Sequence, residues 1–138
     1  MILSKLVAEL TRDEGVRLKP YNDSQGKLTI GIGRNLSDVG ISREEADNML
    51  LGDIERTCLD LDRAIPWWTK LSEVRQRVLA NMAFNLGVPG LLAFRRTLEM
   101  VQEGKYEDAS REMLVSAWAS QVGPRAQRLS NMMRDGVE

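Results

Sequence analysis

Histidine is absent from the chain, and cysteine occurs once, as Cys58. Without histidine there is no Ser-His-Asp or Cys-His nucleophile system, and one cysteine with scattered acids gives little basis for a zinc site. Carboxylates are then the natural groups for moving protons. A lone cysteine also excludes an internal disulfide and suits synthesis in a reducing cytosol. Long apolar runs are missing too. The N-terminal Met-Ile-Leu-Ser-Lys-Leu-Val-Ala-Glu-Leu is broken by Lys5 and Glu9, so neither a signal peptide nor a membrane span is expected there. Positive charge is not in excess. A net charge of −1 and a pI near 5.6 count against a non-specific polyanion binder. With 138 residues and no repeat, low-complexity tract or flexible linker, one cooperative domain is expected.

What is present concentrates between Arg12 and Arg34. Leu3, Val7, Leu10 and Glu14 fall on one stripe of a helix, and such a stripe faces inward. Gly15 follows as the helix stop. This spacing predicts a carboxylate on the apolar face at a helix C-terminus. Desolvation and the negative end of the helix dipole would both favour its protonated form, as suits a general acid. The plainer alternative is an end-of-helix glutamate that is solvated or paired with Arg12 or Arg17. Asp23-Ser24-Gln25-Gly26 has the residues of a type I turn. Lys27 to Gly33 then alternates: Leu28, Ile30 and Ile32 on one strand face, Thr29, Gly31 and Gly33 on the other. A face of one hydroxyl and two glycines packs poorly and suits close approach of a flat ligand such as a sugar ring. A dinucleotide-binding glycine pattern is excluded, since Leu36 stands where the third glycine belongs and no helix follows directly.

The run E-G-x-R-L-K-x-Y-x-D-x-x-G-x-x-T-I-G-I-G, from Glu14 to Gly33, resembles the signature of the phage-type lysozymes, the T-even-phage endolysin family. The resemblance implies Glu14 as catalytic acid, Asp23 as its partner and Thr29 as the third active-site residue. It continues through R-x-x-x-L-x-N-M-x-F-N-L-G (Arg75 to Gly87) and W-x-x-Q-x-x-P-R-A-x-R (Trp118 to Arg128). By that correspondence Phe84 and Thr97 would line a cleft and Arg125 would pair with Glu14. A solvated cation on the last helix is the alternative for Arg125. Gly31, Gly33, Arg34 and Asn35 join them as candidate substrate-binding residues. There are two departures from the family's best-known member, which has histidine where Arg34 stands and a longer connection to the next helix.

The remainder reads as helices with short joints. Ser42-Arg43-Glu44-Glu45 is a capping box opening a helix to about Ala64, stopped by Pro66. At more than twenty residues it suits a strut between lobes. Of the adjacent Trp67 and Trp68, one is expected in the core and one at the surface. Ser72 caps a core helix bearing Val74, Val78, Met82 and Leu86, ended by Gly87. Gly90 to Phe94 reads as a short helical turn, followed by a helix ending near Gly104, another from Tyr106 to Leu114, the Trp118 segment, and a last helix with Pro124 at N1. Taken with the resemblance, the expectation is an α+β, mostly helical, two-lobed lysozyme-like fold. A small β-hairpin or sheet lobe covers about 14–52, and a helical lobe covers about 53–138 with helix 1–13 packed on it.

The implied activity is that of a muramidase cleaving the β-1,4 bond between N-acetylmuramic acid and N-acetylglucosamine in peptidoglycan, with inversion, for phage-induced host lysis. No cofactor or metal is implied, and no nucleic-acid partner or stable membrane insertion. A monomer is expected, made in the host cytoplasm and reaching the wall through a holin lesion. Two rivals are a lytic transglycosylase on the same polymer and a non-enzymatic helix-turn-helix DNA binder using the arginine-bearing last helix.

Overall fold

The computed structural model describes residues 1–138, and its contacts divide the chain into two compact units, Met1–Met49 and Leu50–Glu138. Unit 1 begins with α1 (Leu3–Glu14), which Gly15 ends at φ 75°, its N–H donating to the Thr11 carbonyl over 3.0 Å. Only glycine adopts that conformation cheaply, so the stop falls where the sequence places it. The expected burial of the α1 stripe does not occur. No residue of α1 is buried, and Leu3, Val7 and Leu10 are exposed. The sheet of the same unit is too small to cover a three-turn apolar face.

That sheet is a three-stranded antiparallel meander of β1 (Arg17–Asn22), β2 (Leu28–Gly31) and β3 (Arg34–Asn35) in that order. β1 pairs Tyr21 with Thr29 and Asn22 with Leu28, and its register breaks between Arg17 and Tyr21 around Pro20. Proline donates no ladder hydrogen bond and is tolerated because β1 is an edge strand. The expected strand through Gly33 is shorter than its alternation suggests. Gly31, at φ 72°, ends β2, and Ile32 and Gly33 (φ 68°) form a tight turn into β3. A strand cannot continue through a left-handed residue. Residues 34–35 therefore pair back on β2, Thr29 with Asn35 and Ile30 with Arg34.

The α2 helix (Arg43–Ala64) begins in unit 1 and continues into unit 2. Its capping box is formed: Glu45 N–H donates to Ser42 Oγ at 3.1 Å, and Ser42 N–H donates to Glu45 Oε1 at 3.3 Å. A 3₁₀ helix, Pro66–Lys70, follows. Trp68 is buried there with its indole N–H on Asp62 Oδ1 at 2.8 Å, and Trp67 is half-buried against the same core. Unit 2 continues with α3 (Glu73–Leu86), α4 (Val88–Leu92), α5 (Arg95–Gln102), α6 (Tyr106–Leu114), α7 (Ala117–Val122) and α8 (Pro124–Asp135). The core lies wholly in this unit. Leu79, Met82, Leu91, Val101, Met113 and Met133 are fully inaccessible, each contributing about 1.5–3 kcal/mol by burial. Ser110, Ser130 and Thr97 are the polar members of that interior, the two serines bonded hydroxyl to hydroxyl at 2.7 Å across α6 and α8. No helix is long and apolar enough to cross a membrane.

Candidate active site

In unit 1 the three residues of interest sit on three devices. Glu14 is the last residue of α1, and its carboxylate lies against the bare Cα of Gly33. A Cβ built at Gly33 would stand 2.8 Å from Glu14 Oε2 and 2.9 Å from its Cδ. The residue is exposed, so its expected burial on an apolar helix face does not occur. The plain ion pairing with Arg12 or Arg17 is not seen either. Arg12 donates to Asp13 at 3.1 Å, and the Arg17 guanidinium sits 4.3 Å from the centre of the Tyr21 ring.

Asp23 opens the turn between β1 and β2. Its Oδ1 accepts the backbone N–H groups of Gln25 and Lys27, both at 2.8 Å, and its carbonyl accepts from Gly26 N–H at 3.0 Å. This is the sequence-predicted turn, tightened by an Asx bond. Oδ2 is left out of the turn. Thr29, directly across from Tyr21, is buried, and its hydroxyl donates to the Lys27 carbonyl at 2.8 Å. A hydroxyl has one proton to give and two lone pairs to offer. With the proton committed to Lys27, Thr29 presents itself as an acceptor. Of the two strand faces, Thr29 is covered, whereas Leu28 and Ile32 are exposed.

The hairpin end is held by charge. Arg34 donates through Nη1 to the Gly40 carbonyl at 3.1 Å and to Glu45 Oε2 at 2.7 Å. The Arg34 hydrogen bond, and then those from Ser42, hold the Glu45 carboxyl below the ordinary carboxylate range. Asn35 is also engaged, donating to Asp38 Oδ2 at 3.0 Å and accepting from Asp38 N–H at 3.0 Å. Gly31 differs from Gly33 in that nothing lies within 4 Å of where its Cβ would be.

The candidate residues of unit 2 do not share one pocket. Phe84 and Arg125 line a cavity of about 590 Å³ with Asn81, Arg128, Leu50 and Ile54. Thr97, buried, belongs to a separate cavity of about 500 Å³ with Phe94 and Trp118. Arg125 donates to the Asn81 side-chain oxygen at 2.9 Å and to the Asn81 carbonyl at 3.4 Å. Asn81 was missed from the sequence, although it lies three residues before Phe84 on one face of α3. Asn85 was missed likewise; its Oδ1 accepts the Trp118 indole N–H at 2.9 Å and so links two motif-bearing helices. Glu45, the partner of Arg34, was visible only as a capping residue. Burial first, and then the negative charge of Asp62, push the Cys58 thiol up, which disfavours the thiolate that a nucleophile needs. No group of three or more cysteine or carboxylate side chains is placed to hold a metal ion.

Comparison with known proteins gives a consistent result. The family model described as phage lysozyme matches residues 11–134. The chain is 31% identical over 155 residues to the pre-baseplate central spike protein Gp5 of Enterobacteria phage T4, a match covering 92% of this chain and 27% of that protein. It is 26% identical over 166 residues to the probable T4-type lysozyme 2 of Dictyostelium discoideum, covering 99% of this chain and 97% of the relative. It is also 29% identical over 128 residues to an endolysin of Acyrthosiphon pisum secondary endosymbiont phage 1, covering 90% and 85% respectively. The chain thus spans about a quarter of the spike protein and most of the other two.

Proposed function

This chain belongs to the phage lysozyme family, and from that membership we propose that it hydrolyses the β-1,4 bond between N-acetylmuramic acid and N-acetylglucosamine in bacterial peptidoglycan. Glu14 gives its proton to the glycosidic oxygen as the bond breaks. Asp23 stabilises the oxocarbenium-like charge. Together Asp23 Oδ2 and Thr29 Oγ1 act as the two acceptors that orient a water for attack on the opposite face of the sugar. The observation that carries this reading is the hairpin of unit 1. It carries an Asp23 oxygen that takes no part in the turn and a Thr29 hydroxyl whose proton is already committed, and its Ile32–Gly33 turn meets the Glu14 carboxylate. Two acceptors and one acid are the set that single-displacement hydrolysis requires.

Inversion is part of the proposal. It calls for carboxyl groups roughly 6.5–9.5 Å apart, with room for water between them, and it delivers the α-anomer from a β-bond. Within unit 2, Phe84 and Arg125 in one cavity and Thr97 in another are the candidate sugar contacts, and within unit 1 Gly31 leaves space for a sugar close to the backbone. The setting is phage-induced host lysis by a monomer that reaches the wall through a holin-type lesion.

The test is turbidity clearing of outer-membrane-permeabilised bacteria and of purified murein. Glu14→Gln should abolish clearing while circular dichroism shows an intact fold, since general acid catalysis contributes on the order of 10²–10⁴-fold. Clearing by that variant at the wild-type rate sinks the assignment. Products lighter by one water, with an anhydro end, would instead assign the transglycosylase reaction. The water-orienting pair of Asp23 and Thr29 favours hydrolysis.

A further inference from the structure

We propose that Gly33 is a positioning residue for Glu14, the wall against which the catalytic carboxylate rests, an inference that depends on the reading of Glu14 as the acid. Five glycines of unit 1 share nearly the same positive φ: Gly15, Gly26, Gly31, Gly33 and Gly40, between 67° and 77°. At four of them a Cβ would meet nothing within 4 Å. At Gly33 it would stand 2.8 Å from Oε2, 2.9 Å from Cδ and 3.1 Å from Cγ of Glu14. Real Cβ atoms essentially never approach that closely, so any side chain at position 33 would make the exposed Glu14 carboxylate swing aside.

An exposed glutamate at a helix end is ordinarily free to sample several rotamers about each of its side-chain bonds. A backbone surface packed on Cγ, Cδ and Oε2 together removes those that swing across it. The wall is itself anchored. The turn it occupies is flanked by the β2–β3 pairing of Ile30 with Arg34, and Arg34 is tied to the Gly40 carbonyl and to Glu45, which is fixed in the capping box of α2. The direction in which a Gly33 side chain would project is filled by Glu14, not by a sugar. Of the two glycines after Thr29, therefore, Gly31 is open to a ligand and Gly33 orients the acid.

The experiment compares Gly33→Ala with Gly40→Ala in steady-state hydrolysis of soluble uncross-linked murein strands, and measures thermal unfolding of each in wild-type and Glu14→Ala backgrounds. Both alanines carry the strain of a left-handed residue, and only the one at position 33 meets the carboxylate. Gly33→Ala should lower kcat on the order of 10²-fold with KM nearly unchanged, as a misplacement of about 1 Å can. Gly40→Ala should keep kcat within about twofold, since strain in an exposed loop costs stability rather than chemistry. The melting-temperature loss caused by Gly33→Ala should shrink when Glu14 is already alanine, and that caused by Gly40→Ala should not. If Gly33→Ala does not fold alone, recovery of the fold in the double variant supports the contact, and failure of both overturns it. Equal kcat losses at the two glycines, or an equal melting loss for Gly33→Ala in both backgrounds, overturn the inference. Lack of murein cleavage by the wild type would remove the functional reading alone, because the unfolding comparison tests the contact without any activity.

Discussion

Arg75 opens one of the motifs of the C-terminal half, yet its side chain is engaged in holding a helix. The guanidinium lies 3.5 Å from the centre of the Tyr106 ring, donates from Nε to the Met133 carbonyl at 2.7 Å, and donates from Nη2 to the Arg134 carbonyl at 3.0 Å. Those carbonyls end α8, where the orphan acceptors and the negative end of the dipole collect. Gly136, left-handed at φ 68°, closes the same end by donating to the Met132 carbonyl at 2.8 Å. Replacing Arg75 with methionine keeps much of the stem's packing and removes the rest. Hydrogen bonds from a charged donor contribute about 1.5–3 kcal/mol each when well shielded. A cation over an exposed ring adds about 0.5–1 kcal/mol. Discounting for the partial exposure of Arg75, the expected loss is about 2–3 kcal/mol. For a chain of this size that corresponds to a fall of roughly 6–15 °C in melting temperature. Arg75→Lys should recover less than half of it, because an ammonium lacks the fork that reaches two carbonyls and a ring at once. Calorimetry of the three proteins at one pH is the assay. A fall of under about 2 °C for Arg75→Met, or full recovery by lysine, would refute the clamp, since the estimate rests on two charged hydrogen bonds.

The other predictions concern unit 1. Asp23→Asn should fold with an intact turn, because an amide oxygen also accepts the Gln25 and Lys27 N–H groups, and should lose most murein clearing. Asp23→Ala should lose the turn as well, and amide exchange at Lys27 reads the difference. For Glu45, whose carboxyl is held low by Arg34, the associated stability is present above the unfolded carboxylate range and is lost as pH falls through the folded value. The stability gap between wild type and Arg34→Gln should therefore be open at neutral pH and should narrow as pH falls below the ordinary carboxylate range of about 4. A gap that persists unchanged in acid would show that the ion pair does not stabilise the hairpin.

Much of the fold was readable because its signals are local. Gly15, the Ser42–Glu45 box, Pro66, Ser72 and Pro124 each act within one helical turn, and each marks a boundary in the structure. The misreadings came where local rules compete. Alternation through Lys27–Gly33 argued for one longer strand, but the left-handed Gly31 and Gly33 fold it into a turn and create β3. The apolar spacing of α1 predicted burial, yet periodicity states which face is apolar without supplying a surface to cover it. The short helix expected at 90–94 starts two residues earlier, at Val88, because Pro89 fits the first turn of a helix. At the site, the placement of Glu14 at a helix end, of Asp23 in a turn and of Thr29 on a strand was legible from residue type and spacing. What they touch was not, since the contact with Gly33 and the Arg34–Glu45 pair depend on a turn that pattern alone did not reveal.

Of the two oxygens of Asp23, Oδ1 closes the turn and Oδ2 takes no part in it. Selection on foldability sees only the first. On the proposed mechanism, an asparagine there would preserve the architecture while silencing the chemistry, through a single nucleotide change and at little energetic cost. A lineage with this hairpin can therefore drift from cutting the wall to merely holding it without passing through an unfolded intermediate. Shape and stability would not distinguish the two states, and the residue at position 23 would be the first place to look.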